Sequence, residues 1–190
     1  MVAGRGTPDQ GPARNWMYRD PEGFAQLIDT ITEGTIHYLS RQIAAGAECV
    51  KVFDSWAGSL APEPFERFAI APAKRITAEL KKRHPGVKVI GFPKGAGAGY
   101  ITFAEKTGVD AIAVDTGVPL AWARHVMPTM PIQGNLDPML MITGGDALVN
   151  TTKRMVERME GHPYIFNLGH GITPEADPAN VELVLKAIRG

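Results

Sequence analysis

Cysteine is almost missing from this chain. Cys49 is the only one among 190 residues, so no disulfide can form within it. Its place in the apolar run AECVKVF reads as a buried small hydrophobe rather than a reactive thiol. Neither CxxC nor HxxxH occurs, which leaves no recognisable spacing for a metal centre. No serine stands in a GxSxG elbow, so nucleophilic acyl chemistry of that type has no support. Net charge is missing too: 20 basic residues balance 20 acidic ones. No long-range field therefore favours nucleic acid or an anionic membrane surface, and an anionic ligand must be held by a local site. No stretch approaches the roughly 18 consecutive apolar residues of a spanning helix. The opening MVAGRGTPDQGPARN lacks the apolar core of a signal peptide, and the expectation is a soluble, cytoplasmic protein.

What is present is apolar patterning of alternating type. After Asp20, Pro21 and Glu22, which read as a cap followed by proline at the first helical position, apolar residues recur at Phe24, Leu27, Ile28, Ile31, Ile36, Leu39 and Ile43, and Gly46 follows. A short β-leaning run at 48–53 comes next, then a helix over 64–82 and a second run at 87–92. The alternation continues with a helix over 100–106 closed by Gly108, a strand at 110–114 and a short helix at 121–126. Strands at 131–134 and 164–168 complete the set, with helices at 145–159 and 178–188. Apolar content of 44% suffices for a sizeable core, and residues 1–190 are expected to form one domain or part of a larger one.

Five strands alternating with helices predict parallel βα units with right-handed crossovers. Two closures compete. A doubly wound sheet usually carries a glycine-rich phosphate turn, but Pro93 and Lys94 break that fingerprint in GFPKGAGAG. A closed (β/α)₈ barrel takes about 250 residues. The count predicts instead an α/β fold whose parallel βα units form the later part of such a barrel, incomplete.

In a barrel the working residues sit where strands end. Here those ends read FDSW at 53–56, FPK at 92–94, Asp115-Thr116, QGNLD at 133–137 and NLGHG at 167–171. Ser55 can donate its hydroxyl to a carboxylate, or satisfy a local turn. His170 lies between two glycines, where the backbone can turn sharply and present an imidazole to a cleft, or be tied to a carbonyl. His37, His84, His125 and His162 read as structural. Asp115 and Asp137 could serve as bases, ligands or caps, and Asp137-Pro138 reads first as a helix start. The PKGAGAG loop could offer N–H groups to an anion or be a plain strand-to-helix turn.

Three motifs taken together, FDSWAG at 53–58, QGNLDP at 133–138 and NLGHGI at 167–172 with Asp177-Pro178 beyond, resemble the second half of the uroporphyrinogen decarboxylase family. The opening MVAGRGTPDQGPARNWMYRDPE resembles that family's segment after its fourth strand. The resemblance covers essentially the whole chain, with the motifs in order.

The resemblance implies a carboxy-lyase of haem biosynthesis that removes the carboxyl groups of four acetate side chains from uroporphyrinogen, giving coproporphyrinogen. It implies no metal and no organic cofactor, the electron sink being the substrate's own protonated pyrrole. It also implies that Ser55 and His170 contact substrate carboxylates, that Phe53 packs against the macrocycle, and that the enzyme is a homodimer. The family's arginine pair, its pyrrole-binding aspartate and a substrate-contacting tyrosine belong to a segment upstream of these motifs. Decarboxylation relies on them for charge stabilisation, so no catalytic residue is expected here, and the isolated chain is expected to be inactive without an N-terminal half as partner. Two other readings stand beside this one. A non-catalytic structural half would bind a partner and leave porphyrinogen unchanged. A zinc- and cobalamin-linked methyltransferase relative is disfavoured, because Phe92-Pro93-Lys94-Gly95 and Gly169-His170-Gly171 stand where its thiolates would be.

Overall fold

Asp20 closes the N-terminus of the longest helix by accepting a hydrogen bond from Gly23 N at 2.9 Å, with Pro21 supplying a preset φ at the first position. This helix, α2 (Pro21–Ala44), buries Phe24, Ile36 and Leu39 of the anticipated stripe; Ile31 is exposed instead, and the neighbouring Thr32 is buried with its hydroxyl donating to Ile28 O. The structure is a computed structural model that describes residues 2, 4 and 6–190. The chain divides into two compact units, Met1–Asp110 and Ala111–Gly190.

In the first unit a single-turn 3₁₀ segment (Pro8–Gln10) and α1 (Gly11–Arg19) precede α2. Then come β1 (Cys49–Asp54), a 3₁₀ turn (Ala57–Ser59), α3 (Pro62–Phe65), a π-helical turn (Glu66–Ile70), α4 (Ala71–Arg83), β2 (Lys88–Pro93) and α5 (Gly99–Thr107). Strands β1 and β2 pair in parallel, with Cys49 opposite Lys88, Lys51 opposite Ile90 and Phe53 opposite Phe92. One face of this pair is dry: Val50 and Val89 are buried, and the Cβ-less Gly91 lets Phe103 of α5 come so close that an added methyl would lie 2.5 Å from its ring. Helices α1, α2 and the π-helical turn meet through a chain of edge-to-face rings, Trp16 on Phe24 at 5.6 Å and Phe24 on Phe68 at 5.0 Å. Across the outer surface Arg75 of α4 bridges Asp29 and Glu33 of α2. Asp110 closes the unit: it accepts from Val89 N at 2.9 Å and pairs with Lys81 at 3.0 Å and Lys88 at 3.7 Å.

The second unit contains β3 (Ala111–Ala113), α6 (Leu120–Val126), β4 (Ile132–Leu136), α7 (Leu140–Thr143), α8 (Gly145–Arg158), β5 (Tyr164–Leu168) and α9 (Pro178–Arg189). Its strands are parallel as well, β3 to β4 and β4 to β5. Asp177 caps α9 by accepting from Ala179 N, and the buried Asn180 Nδ2 donates to Met141 O at 2.9 Å, tying α9 to α7. His162 lies 3.0 Å through Nε2 from Met130 O, in the structural role its sequence context implied.

The fold is therefore α/β with five parallel strands, two in one unit and three in the other. The elements agree with the sequence pattern in order and type. Helix α1 is an addition, and the helix expected over 64–82 is a longer one interrupted by a π-helical turn. The reading of Cys49 is corrected: its side chain is exposed. Successive residues of a strand face opposite sides, and Val50, not Cys49, points into the packed layer. Partial burial of the thiol and the carboxylate of Asp110 push its pKa up, which keeps it protonated.

Candidate functional site

The carboxyl end of β1 is the more developed of the two regions that the motifs single out. Phe53 projects from the open face of the strand, 57% exposed, and its ring meets Phe92 of β2 edge-on at 5.5 Å. Ser55 follows the strand directly and is half-buried. The local turn does not use its hydroxyl, because the neighbours satisfy that turn instead: Asp54 accepts from Trp56 N at 3.3 Å, and Ser59 Oγ donates to Trp56 O at 2.7 Å. Burial pushes the Asp54 carboxyl above its ordinary pKa, against the opposing effect of N–H donation from Trp56 and Ala57.

Behind this strand end the backbones of two loops touch. Gly58 N donates to Lys94 O at 2.9 Å, and Lys94 N donates to Asp54 O at 3.0 Å. A Cβ on Gly58 would lie 2.2 Å from Gly95 O, so only glycine fits. In the PKGAGAG segment, Ala96 N donates to Pro93 O, Gly99 N to Ala96 O, Tyr100 N to Gly97 O and Ile101 N to Ala98 O. These N–H groups are spent on the turn itself, which favours the plain strand-to-helix connection over an anion cradle. Beside the strand end, a cavity of about 580 Å³ is lined by Arg14, Met17, Phe24, Asp54, Trp56 and Ser59, among others.

In the second unit His170 is exposed on the segment that leaves β5. The backbone bends at Gly169 and His170 as expected, but without a positive φ at Gly169 or Gly171. Gly169 is required by close approach: a Cβ there would lie 2.5 Å from Thr116 N, while Gly169 N donates to Leu136 O at 2.7 Å. Asp137 Oδ1 accepts from Met139 N at 2.9 Å, so it shapes the turn before α7 rather than presenting a free base. Asp115 likewise accepts from Gly117 N at 2.9 Å.

Two residues of these strands were not singled out from sequence. Asn135 Nδ2 donates to Asp115 O at 2.7 Å and Val118 O at 2.6 Å, pinning the loop after β3 to β4. Its motif was visible but its partners lie 20 and 17 residues away. Lys51 points its ammonium over the rings of Phe53 at 4.5 Å and Phe92 at 4.7 Å. A lone lysine inside an apolar strand was the available signal. Among the described residues no three His, Cys, Asp or Glu side chains gather as a metal-ligating group, and no helix is long and apolar enough to cross a membrane.

Parallel strands each followed by a helix, with polar side chains at their carboxyl ends, define a βα-class protein. The sequence profile described as uroporphyrinogen decarboxylase (URO-D) matches residues 1–190, and the chain belongs to that family. It is 58% identical to a uroporphyrinogen decarboxylase of Cereibacter sphaeroides over 100% of this chain and 56% of that protein. Identity is 56% to a uroporphyrinogen decarboxylase of Jannaschia sp. and 58% to one of Paracoccus denitrificans, covering 55% and 56% of those proteins. The chain thus spans just over half the length of the curated relatives it matches.

Proposed function

We propose that this chain acts in uroporphyrinogen decarboxylation, the cofactor-free conversion of the four acetate side chains of uroporphyrinogen to methyl groups in haem biosynthesis. On this reading it forms one partial domain contributing the later βα units of a (β/α)₈ barrel. The observation that carries the reading is the family match along all 190 residues. The geometry of the strand ends is in keeping with it. Phe53 offers an exposed ring face for a flat macrocycle, and Ser55 and His170 offer donors for carboxylates. The groups that stabilise charge on the ring belong to the part of the relatives that this chain does not span, so activity requires that part as well. We propose further that the assembled enzyme is a cytoplasmic homodimer.

The test is anaerobic incubation with uroporphyrinogen, with coproporphyrinogen measured by chromatography after oxidation, for the chain alone and together with an N-terminal half from a relative. Turnover only in the mixture, reduced by Ser55→Ala and by His170→Asn, is the expected result. Turnover by the chain alone would overturn the assignment of the charge-stabilising groups to the unspanned part of the relatives, and none in either sample would favour a structural subunit.

A further inference from the structure

Strand β1 carries a charge where its pattern calls for an apolar residue. Cys49, Lys51 and Phe53 share one face of the strand, and their partners across the ladder are Lys88, Ile90 and Phe92. Lys51 therefore sits one pleat step before Phe53 along the strand, on the same open face. Its ammonium is half-buried and lies over two aromatic rings, 4.5 Å from the centre of Phe53 and 4.7 Å from that of Phe92. It makes no ion pair among the described residues. The nearby acid Asp110 is occupied by Lys81 and Lys88, and Asp54 belongs to the opposite face of β1.

Two ring faces hold a cation in place without neutralising it. Removal from water works against the charge, and burial pushes the Lys51 pKa down to about 8. The ammonium is still mostly protonated at neutral pH, and it is positioned and short of a counter-ion. An arriving carboxylate would find a preoriented donor that has already lost part of its hydration, the condition in which a charge-assisted hydrogen bond is strongest.

We propose that Lys51 is a further anion-anchoring residue of this site, receiving a carboxylate of the bound substrate while Phe53 packs against the substrate's apolar body. The inference rests on the reading of the chain as a binder of a polycarboxylate macrocycle, and adds a cationic contact to the neutral hydroxyl of Ser55. The other titratable groups on this face, Cys49 and Lys88, lie toward the amino ends of the strands. Cys49 stays a thiol because its pKa is raised, and Lys88 is paired with Asp110, which leaves Lys51 as the cation on this face without an ion pair among the described residues.

The test uses the full 190-residue chain and two probes: uroporphyrin, the oxidised form of the macrocycle, followed by fluorescence, and benzene-1,2,4,5-tetracarboxylate as a compact polyanion. Lys51 is observed directly in the unmutated chain through the NMR signal of its ¹³C-methylated amine. Expected are a saturable shift of that signal with a rise in its pKa, a loss of about tenfold in affinity in Lys51→Met, and partial recovery in Lys51→Arg. Wild-type affinity should also fall between pH 7 and 9. Uroporphyrin binding that is equal in wild type and Lys51→Met would overturn the proposal and leave the functional reading standing. Lys51-dependent binding of the tetracarboxylate without any binding of uroporphyrin would uphold the anion site and count against the tetrapyrrole. A Lys51 signal that neither probe moves would overturn it outright.

Discussion

Replacing Gly58 by alanine tests whether the end of β1 is held by backbone contact. The new methyl would lie 2.2 Å from Gly95 O, 2.4 Å from Gly95 C and 2.7 Å from Gly95 Cα. All three are backbone atoms, so no side chain can rotate away, and one loop must move by roughly an ångström. Overpacking of this kind costs about 1–3 kcal/mol. The shift also breaks the bond from Gly58 N to Lys94 O at 2.9 Å, worth about 1 kcal/mol. The sum is about 2–4 kcal/mol, read as a lower urea midpoint at unchanged slope. Gly34→Ala is the matched control: it lies exposed within α2 with nothing within 4 Å of the added methyl, and helix propensity predicts a gain of about 0.5–1 kcal/mol. Native-state hydrogen exchange adds a local readout, since the Gly58 N–H should lose protection in the variant. A Gly58→Ala chain within about 0.5 kcal/mol of wild type would refute the reasoning, because the close approach of the two loops could not then exist as described.

Asp20→Ala should cost about 1 kcal/mol in thermal or urea unfolding by removing the cap of α2, and Asp20→Asn should recover most of it. Asn135→Ala deletes donors to Asp115 O and Val118 O in a part-buried place, and a loss of about 1–3 kcal/mol is expected, with faster amide exchange in the loop that follows β3. Lys51 makes stability depend on pH in a stated direction. Its folded pKa of about 8 lies below the ordinary 10.5, so the folded chain binds fewer protons than the unfolded one between these values, and stability rises with pH across that window. Lys51→Met should then be more stable than wild type by about 1 kcal/mol at pH 7, after allowing for solvent screening at a half-exposed site, with the gap closing by about pH 10.5. A gap that does not change with pH would contradict the burial of that ammonium.

The order and type of the main elements could be read because their signals are local. β5 starts and stops at the expected residues, where YIFNL stands between turn-forming neighbours, and Asp20 and Asp177 mark helix starts through bonds that span only three and two residues. Features that were not legible depend on distant partners. Helix α1 carries a weakly apolar sequence, GPARNWMYR, and is fixed from outside by burial of Met17 and by the ring of Phe24 against Trp16. Cys49 was misplaced because an apolar run hides its parity: only Lys51, two residues on, marks which face of the strand is open.

The candidate site divides along the same line, and its glycines show why. In WAG and NLGHG a glycine suggests conformational freedom, yet Gly58 and Gly169 both have φ values that any residue can adopt. Each is needed because another backbone passes within van der Waals range, Gly95 in one case and Thr116 in the other, and both of those partners lie in loops remote in sequence. A motif of this kind therefore encodes a crossing between loops more than a turn. Ser55 after β1 and His170 after β5 stand beside these crossings, which involve residues that no window of sequence around them contains. On the proposed reading of Ser55 and His170 as carboxylate donors, Gly58→Ala should lower ligand affinity through the loop that carries Ser55, and Gly169→Ala through the segment that carries His170, each measured by uroporphyrin fluorescence titration, even though neither glycine has a side chain with which to touch a ligand.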